Sequence, residues 1–242
     1  MITNLLLSGG PTHDFADTAL ALADLLRESP PAAAPIATTI VHDPDEFFER
    51  LHDGVDGVDG KSAPWDLVTV HALRWRMEAE RYAAGRDEWS YSIDPNDTAA
   101  LADYVRNGMG LLALHTAVIC FDADPTWHAL TGASWNWETS SHPLVDRVVV
   151  EPTIATEGHP ITAGTESFEL LDEVYGFLDE VDGIEPLLTG FHSGRAHPVL
   201  WARSVGAGRV VTDVLGHGVE SLSHPTHRAI LRRSAAWAAG GR

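Results

Sequence analysis

In the first 115 residues, short apolar segments alternate with segments that have helical periodicity, and this alternation constrains the fold. Four segments have the length and composition of buried strands: Ile2–Leu7, Ile36–Val41, Asp66–His71 and Gly110–His115. Helical patterns lie between them, at Ala16–Leu26, Asp43–Leu51 and Asp94–Asn107. Strands and helices that alternate in this way form right-handed βαβ units. We therefore predict an α/β protein built on a mainly parallel, doubly wound sheet.

The pattern changes after residue 140, where helices become scarce. Four further segments resemble strands: Arg147–Val150, Glu185–Leu188, Pro198–Arg203 and Arg209–Val214. His224–Ala239 is predicted as a closing amphipathic helix, and the Gly- and Asp-rich stretch Asp53–Lys61 as a flexible loop. The sequence thus predicts an antiparallel extension of the sheet in the C-terminal half. Because no repeat or linker interrupts the chain, we expect one domain over residues 1–242.

Charge and composition exclude several classes of partner. The 242 residues include 16 basic and 35 acidic side chains, for a formal net charge of −19. Such a surface repels nucleic acid and anionic membranes, so we expect neither as a partner. The N-terminus lacks the basic start and long apolar region of a signal peptide, which favours a cytoplasmic protein. A homo-oligomer is compatible with such a fold.

Histidines follow the ends of several predicted strands. His115 ends the apolar run from Gly110, His13 follows the first strand, and His217 follows Arg209–Val214. Because these strand ends meet at one edge of a sheet, the three imidazoles can share a cleft. They suit proton transfer or a divalent metal site, zinc before other metals. His71 is interpreted as a strand-terminal polar residue. Five further histidines are interpreted as surface or capping residues: His42, His52, His128, His224 and His227.

Two other groups are candidates for binding and catalysis. Trp135 and Trp137 lie in a polar loop that continues to His142, a combination that can stack on and bind a sugar, although buried indoles that anchor the loop would give the same pattern. Glu173 belongs to an acidic pair that offers a general acid or base beside a histidine. The long insertion Arg74–Ile93 follows the third strand and should border the same cleft.

The motifs that are absent also limit the chemistry. The sequence has no Gly-x-Ser-x-Gly elbow, P-loop or complete Gly-x-Gly-x-x-Gly at a strand–helix junction. We therefore expect no nucleotide cofactor. Cys120, the single cysteine, lies in an apolar segment, which raises the pKa of a thiol and argues against a nucleophile.

Seven motifs in order resemble the trehalose-utilisation, ThuA-like family. They span about residues 5–238 and comprise Gly9-Gly10 with His13-Asp14-Phe15, Gly110–Ala117, His142-Pro143, Gly158–Thr162, Asp172–Tyr175, Pro198–Trp201, and Gly206–Val211 running to Leu215-Gly216-His217. The resemblance implies a flavodoxin-like sheet with helices on both faces, similar to class I glutamine amidotransferases. His115 then stands where those enzymes have their cysteine, and His217 with Glu220 is similar to their His-x-Glu pair. Imidazole cannot replace that thiolate, so amidotransferase chemistry is not expected.

The family implies catabolism of disaccharides or glycosides, often as 3-keto sugars and with a divalent metal. We expect an enzyme, a lyase, hydrolase or isomerase, that uses His115, His217 and Glu173 as catalytic residues. The metal ligands would be His13, His115 and His217. The carbohydrate would contact His13, Trp135, Trp137, His142 and Tyr175. Two alternatives stay open: a non-catalytic sugar-binding or regulatory protein with an amidotransferase-like cleft, and a zinc-dependent amide or ester hydrolase.

Overall fold

The computed structural model describes residues 1–28, 34–53 and 65–240, so the predicted loop Asp53–Lys61 lies outside it beyond Asp53. The strands are β1 (Ile2–Gly9), β2 (Ile36–Val41), β3 (Leu67–Ala72), β4 (Gly110–Leu114), β5 (Ala133–Ser134), β6 (Asp146–Pro152), β7 (Phe168–Asp172), β8 (Asp179–Glu180), β9 (Pro186–His192), β10 (Arg195–Val205) and β11 (Gly208–Asp213). The α-helices are α1 (Phe15–Arg27), α2 (Pro44–His52), α3 (Arg86–Trp89), α4 (Pro95–Arg106), α5 (Pro125–Thr131), α6 (Val219–Ser223) and α7 (Pro225–Ala239). Short 3₁₀ helices cover Glu80–Gly85, His115–Val118 and Ile154–Thr156.

The main sheet has a parallel half and an antiparallel half. Its order is β2-β1-β3-β4-β11-β10-β9-β6-β7. Strands β2, β1, β3, β4 and β11 pair in parallel, and the pairs from β11 to β7 are antiparallel. This confirms the predicted fold class. One detail differs: Arg209–Val214, predicted within the extension, forms β11 and pairs in parallel with β4, because it returns from the extension into the centre of the sheet.

Helices cover both faces of the parallel strands. Side chains alternate along β1, so Leu6 packs into the core under α1 and α7, while Leu5 and Leu7 pack into the core under α2, α4 and α5. Strands that are buried on both faces are near-continuously apolar, as the sequence of β1 and β4 shows. The doubly wound arrangement is therefore confirmed, whereas one domain over 1–242 stays a prediction.

Aspartate caps determine where several helices begin, and so where the preceding loops point. Asp14, Asp43, Asp94 and Asp124 each accept a hydrogen bond from a backbone N–H in the first turn of the following helix. The cap at Asp94 and the helix after it were predicted from the sequence. Because Asp14 fixes the start of α1, His13 is held at the carboxyl end of β1. In the described part of the chain, no helix combines the length and apolar composition needed to cross a bilayer.

Candidate active site

Four side chains from distant parts of the chain meet at the carboxyl edge of the sheet. His13 follows β1, His115 directly follows β4, Glu173 directly follows β7 and His217 follows β11. One ligand atom from each lies within 4.8 Å of the others. The sequence placed the three histidines at strand ends, and the structure brings all three together with Glu173. Their catalytic and ligand roles stay predictions.

His115 is held in an uncommon backbone conformation. Its φ is +52°, in the left-handed region that few non-glycine residues adopt, and its side chain is 0% exposed. The Nδ1–H donates to the carbonyl oxygen of Val214 at 2.9 Å, since that oxygen can only accept. The lone pair of Nε2 therefore faces the cluster. Burial, reinforced by His13, lowers the pKa of His115 well below its usual value, so the ring is neutral.

The spacing of the four ligand atoms is compatible with one small metal ion. His13 Nε2 lies 3.2 Å from His115 Nε2, and Glu173 Oε2 lies 3.8 Å from His115 Nε2 and 3.4 Å from His217 Nδ1. Ligands of a tetrahedral zinc ion at ~2.0–2.1 Å are separated by about 3.4 Å. Within the described residues, the buried Nδ1 of His217 makes no hydrogen bond of ordinary geometry. This unpartnered nitrogen, the carboxylate beside it and the neutral imidazole of His115 fit a divalent metal.

Glu173 is the buried negative charge of the site. Its side chain is 6% exposed, and Oε1 accepts from His142 Nδ1 at 3.1 Å. Burial alone would raise the pKa of Glu173, but the hydrogen bond from His142 and the close contact with His217 outweigh it and hold the pKa well below its ordinary value. The same contacts raise the pKa of His142 and His217. The site thus pairs an ionised carboxylate with two imidazoles whose protonated forms it stabilises.

Two further groups keep the centre of the cluster neutral. The hydroxyl of Tyr175 lies 3.1 Å from His115 Nε2, and burial together with Glu173 raises the pKa of Tyr175 well above its usual value. Tyr175 therefore stays a phenol beside His115 and adds no charge to the site. Burial and repulsion by His217 lower the pKa of His13 to about 4. Neutral imidazoles at His13 and His115 leave lone pairs for a metal ion or an incoming proton.

A cavity of about 340 Å³ opens above the cluster. The predicted carbohydrate-contacting residues all line it, namely His13, Trp135, Trp137, His142 and Tyr175. Trp137 is 39% exposed, so the loop is not simply anchored by two buried indoles. The predicted insertion Arg74–Ile93 borders the same cavity and contributes two lining residues that the sequence did not single out, Trp75 and Tyr82. Their position in the predicted insertion is the sequence feature that could have identified them as lining residues.

Two expectations about histidine partners are wrong. The resemblance to amidotransferases paired His217 with Glu220, but Glu220 is exposed and the carboxylate beside His217 is Glu173. His227 was interpreted as a surface or capping residue, yet it is 0% exposed. It faces inward from α7, and its Nε2 lies 3.1 Å from the buried Asp213. Helix α7 packs on β4 and β11, so its histidine meets a carboxylate that precedes it by 14 residues.

A buried polar chain connects His227 to the loop that carries His217. His227 Nδ1 lies 3.0 Å from Ser221 Oγ, and Ser221 Oγ donates to Asp172 at 2.5 Å. Asp172 in turn accepts from the backbone N–H of His217 at 3.3 Å. Because Ser221 has one hydroxyl proton and gives it to Asp172, it accepts from His227. These hydrogen bonds hold the His217 loop against β7, the strand that directly precedes Glu173.

Comparisons with known proteins agree with this architecture. A family model described as ThuA, trehalose utilisation, matches residues 86–238. No curated protein matches the chain. A thua-like protein from Parabacteroides merdae is similar over 100% of this chain and 91% of its own, with a TM-score of 0.72 and 19% identity. A thua-like protein from Bacteroides uniformis matches over 98% and 91%, with a TM-score of 0.65 and 18% identity.

A cytoplasmic protein from Salmonella typhimurium is also similar, over 98% of this chain and 99% of its own, with a TM-score of 0.60 and 13% identity. At these identities the structural matches establish the shared fold alone. The family model covers more than half of the chain, including His115, His142, Glu173 and His217.

Proposed function

The chain belongs to the ThuA family of trehalose utilisation, and from that premise we propose that it is an enzyme that performs acid–base chemistry on an oxidised sugar or glycoside. The family gives the protein a carbohydrate-related role. One observation carries the chemical part of the proposal: three imidazoles and an ionised carboxylate converge under a cavity lined by aromatic rings. We propose a keto-glycoside as substrate, with elimination or isomerisation as the reaction.

We propose that His13, His115 and His217 hold a divalent metal ion, zinc before others. Three histidines with an open position are a common catalytic zinc set. A zinc ion held there would act as a Lewis acid on the carbonyl oxygen of the keto sugar. His115 is better suited to ligation than to proton transfer, because its low pKa makes it a weak base. Its Nδ1–H is anchored on the carbonyl oxygen of Val214, which leaves the lone pair of Nε2 for the metal ion.

Glu173 then accepts the proton from the carbon next to the carbonyl. In an elimination, the electron pair of that C–H bond forms the new C=C bond and the C–O bond to the leaving group breaks. The departing oxygen takes a proton from the His142 imidazolium. Glu173 Oε1 and His142 Nδ1 are 3.1 Å apart, so the captured proton can return directly to His142 and restore both groups. General acid–base help of this kind contributes about 10²–10⁴-fold.

The low pKa of Glu173 makes it a weak base as well. Efficient proton removal therefore needs a strongly polarised carbonyl, which explains why the electrophilic groups surround the carboxylate. A positive charge beside developing oxyanion charge stabilises the transition state more in a buried site than in water. The metal ion that His13, His115 and His217 would hold would supply that charge.

The test is turnover of a 3-keto disaccharide by the metal-loaded protein, followed by product analysis with NMR. We expect His115→Ala and Glu173→Gln to reduce turnover by at least 10²-fold while circular dichroism stays unchanged. His52→Ala is the matched control, since it removes an imidazole from α2, outside the cluster, and should keep wild-type turnover. Wild-type turnover in His115→Ala would exclude the proposed role of that residue.

The same experiment separates the other two functions. Affinity for oxidised and unoxidised sugars without any product would favour a binding or regulatory protein. Chelator-sensitive cleavage of amides or esters, with keto sugars unchanged, would favour a zinc hydrolase, for which the same imidazoles and Glu173 would also serve.

A further inference from the structure

We infer that the cavity accepts a glycoside with a flat, apolar aglycone, such as an aryl group, rather than a second sugar. The inference rests on the proposed function for the position of the sugar itself. Its own support is a set of four rings, Trp75, Tyr82, Trp135 and Trp137, which we call the aromatic bay. All four line the cavity, and none belongs to the metal-ligand cluster.

The aromatic bay is continuous with the catalytic groups. Trp135 lies 5.3 Å from Tyr175 and 5.8 Å from His142, measured between ring centroids. From Trp135 the wall continues to Trp137 at 6.3 Å and then to Trp75 at 6.0 Å. A sugar that reacts at Glu173 therefore has its leaving group next to Trp135, and the bay begins there.

The rings form a preformed slot rather than a loose collection. Tyr82 packs edge-on against Trp75, with centroids 5.1 Å apart and an interplanar angle of 89°. Trp137 lies 6.0 Å from Tyr82 and is 39% exposed, so its free face is open to a ligand. Edge-to-face and offset arrangements at such distances are the preferred geometries of aromatic pairs. A planar ring in the cavity would continue the same packing.

Hydrogen-bond partners in the bay are too few for a second sugar. In the described residues, every His or Glu that lines this cavity belongs to the catalytic end, Thr12 adds a hydroxyl there, and no Asp, Asn, Gln, Lys or Arg lines it. The charged groups near the bay, Arg76, Glu78, Arg81 and Asp122, line a separate cavity of about 200 Å³ that Trp75, Tyr82 and Trp137 also border. Leu73 and Ile119 complete the wall beside the rings. The indole N–H of Trp75 is itself buried without a partner in the described part of the chain and does not reach solvent.

The hydroxyls of a second sugar would lose water there and gain few protein partners, which is unfavourable. Apolar pockets disfavour an added hydroxyl by up to about 10²-fold. Rings and aliphatic side chains, with few polar groups to fix the orientation, are typical of sites for apolar ligand groups. The insertion that carries Trp75 and Tyr82 thus selects substrates by their aglycone.

The experiment compares 3-keto glucosides that differ only in the aglycone: phenyl, methyl and glucosyl, in both anomeric forms. The full-length, metal-loaded protein is used. We expect kcat/KM for the phenyl glycoside to exceed that for the glucosyl compound by at least 10-fold. Trp137→Ala should remove most of this preference through KM, and Trp137→Phe should retain it. Trp89→Ala, in the same insertion but outside the cavity, is the matched control.

A binding measurement keeps this inference separate from the proposed function. Titration calorimetry with unoxidised phenyl and methyl glucosides, which need not react, should give tighter binding of the phenyl compound, and Trp137→Ala should weaken it. A phenyl preference in binding without turnover of any glycoside would refute the proposed reaction and retain the bay. Turnover with equal kcat/KM for the phenyl and glucosyl compounds would overturn the inference. So would calorimetry in which the unoxidised phenyl and methyl glucosides bind equally well or do not bind.

Discussion

Removal of the imidazole of His227 should destabilise the protein strongly. The ring is 0% exposed and its Nε2 lies 3.1 Å from Asp213, which is 1% exposed. His227→Ala leaves the Asp213 carboxylate buried without its cationic partner, and breaking a buried pair in this way costs about 3–5 kcal/mol. For a protein of this size each kcal/mol lowers Tm by about 2–4 °C, so we expect a fall of about 6–20 °C.

The pKa of His227 determines how the stability loss in His227→Ala should change with pH. Burial, the largest influence, would lower the pKa of His227, but the charge and hydrogen bond of Asp213, with Asp172, outweigh it and raise the pKa above its ordinary value. A raised folded-state pKa means that the stabilisation is complete below the unfolded pKa of about 6.5 and is lost as pH rises through the folded value. The stability difference between wild type and His227→Ala should therefore be larger at acidic than at alkaline pH.

The assay is urea denaturation followed by circular dichroism on both sides of that pH window. His52 provides a matched control, because its Nε2 lies 3.2 Å from Asp97 but its side chain is 38% exposed. Exposed pairs contribute about 0–1 kcal/mol, so His52→Ala should be nearly neutral. Adding Asp213→Asn to His227→Ala removes the lone buried charge and should recover part of the loss. A His227→Ala effect under 1 kcal/mol, or a difference that grows with pH, would refute the reasoning.

Three further predictions concern the metal ion, the sheet and the thiol. Zinc at 100 times its Kd should stabilise the folded protein by about 2.7 kcal/mol. A chelator should therefore lower the Tm of the wild type and leave the Tm of His115→Ala constant. An elemental analysis that finds no bound metal in the zinc-loaded wild type would contradict this prediction. Gly110→Ala should cost about 1–3 kcal/mol in urea denaturation, because the new Cβ would lie 2.6 Å from the backbone of Ala238; an unchanged midpoint would exclude this close contact. Burial raises the pKa of Cys120 to about 12, so the thiol should react with iodoacetamide at neutral pH only after unfolding, as mass spectrometry of native and denatured samples will show.

Local sequence patterns predicted most elements but not all of the pairing. The segments that form β1 to β4 each contain a short run of apolar residues, and the helices between them carry capping aspartates, so both signals are local. Strand β7 (Phe168–Asp172) was missed, because it is short and exposes Glu169 and Leu171 on one face. The parallel pairing of β11 with β4 joins residues about 100 positions apart, and no local pattern records such a contact.

Some residues of the candidate site could likewise be predicted from the sequence, whereas their pairing could not. The rule that strand ends meet at one sheet edge was enough to select His13, His115 and His217. It could not identify the carboxylate that pairs with His217, because Glu173 reaches the cluster from the far end of the sheet through β7.

Residue types at short spacing were enough to predict the α/β architecture, the position of His115 at the end of a strand and the family resemblance. Only the tertiary structure decided which side chains share the cavity, that His227 is buried against Asp213, and that the Arg74–Ile93 insertion places Trp75 and Tyr82 beside Trp137. The physical reason is that burial, pKa and ligand spacing are properties of groups in space. They depend on how β11, β7 and the insertion fold back onto the carboxyl edge, and a linear pattern does not contain those distances.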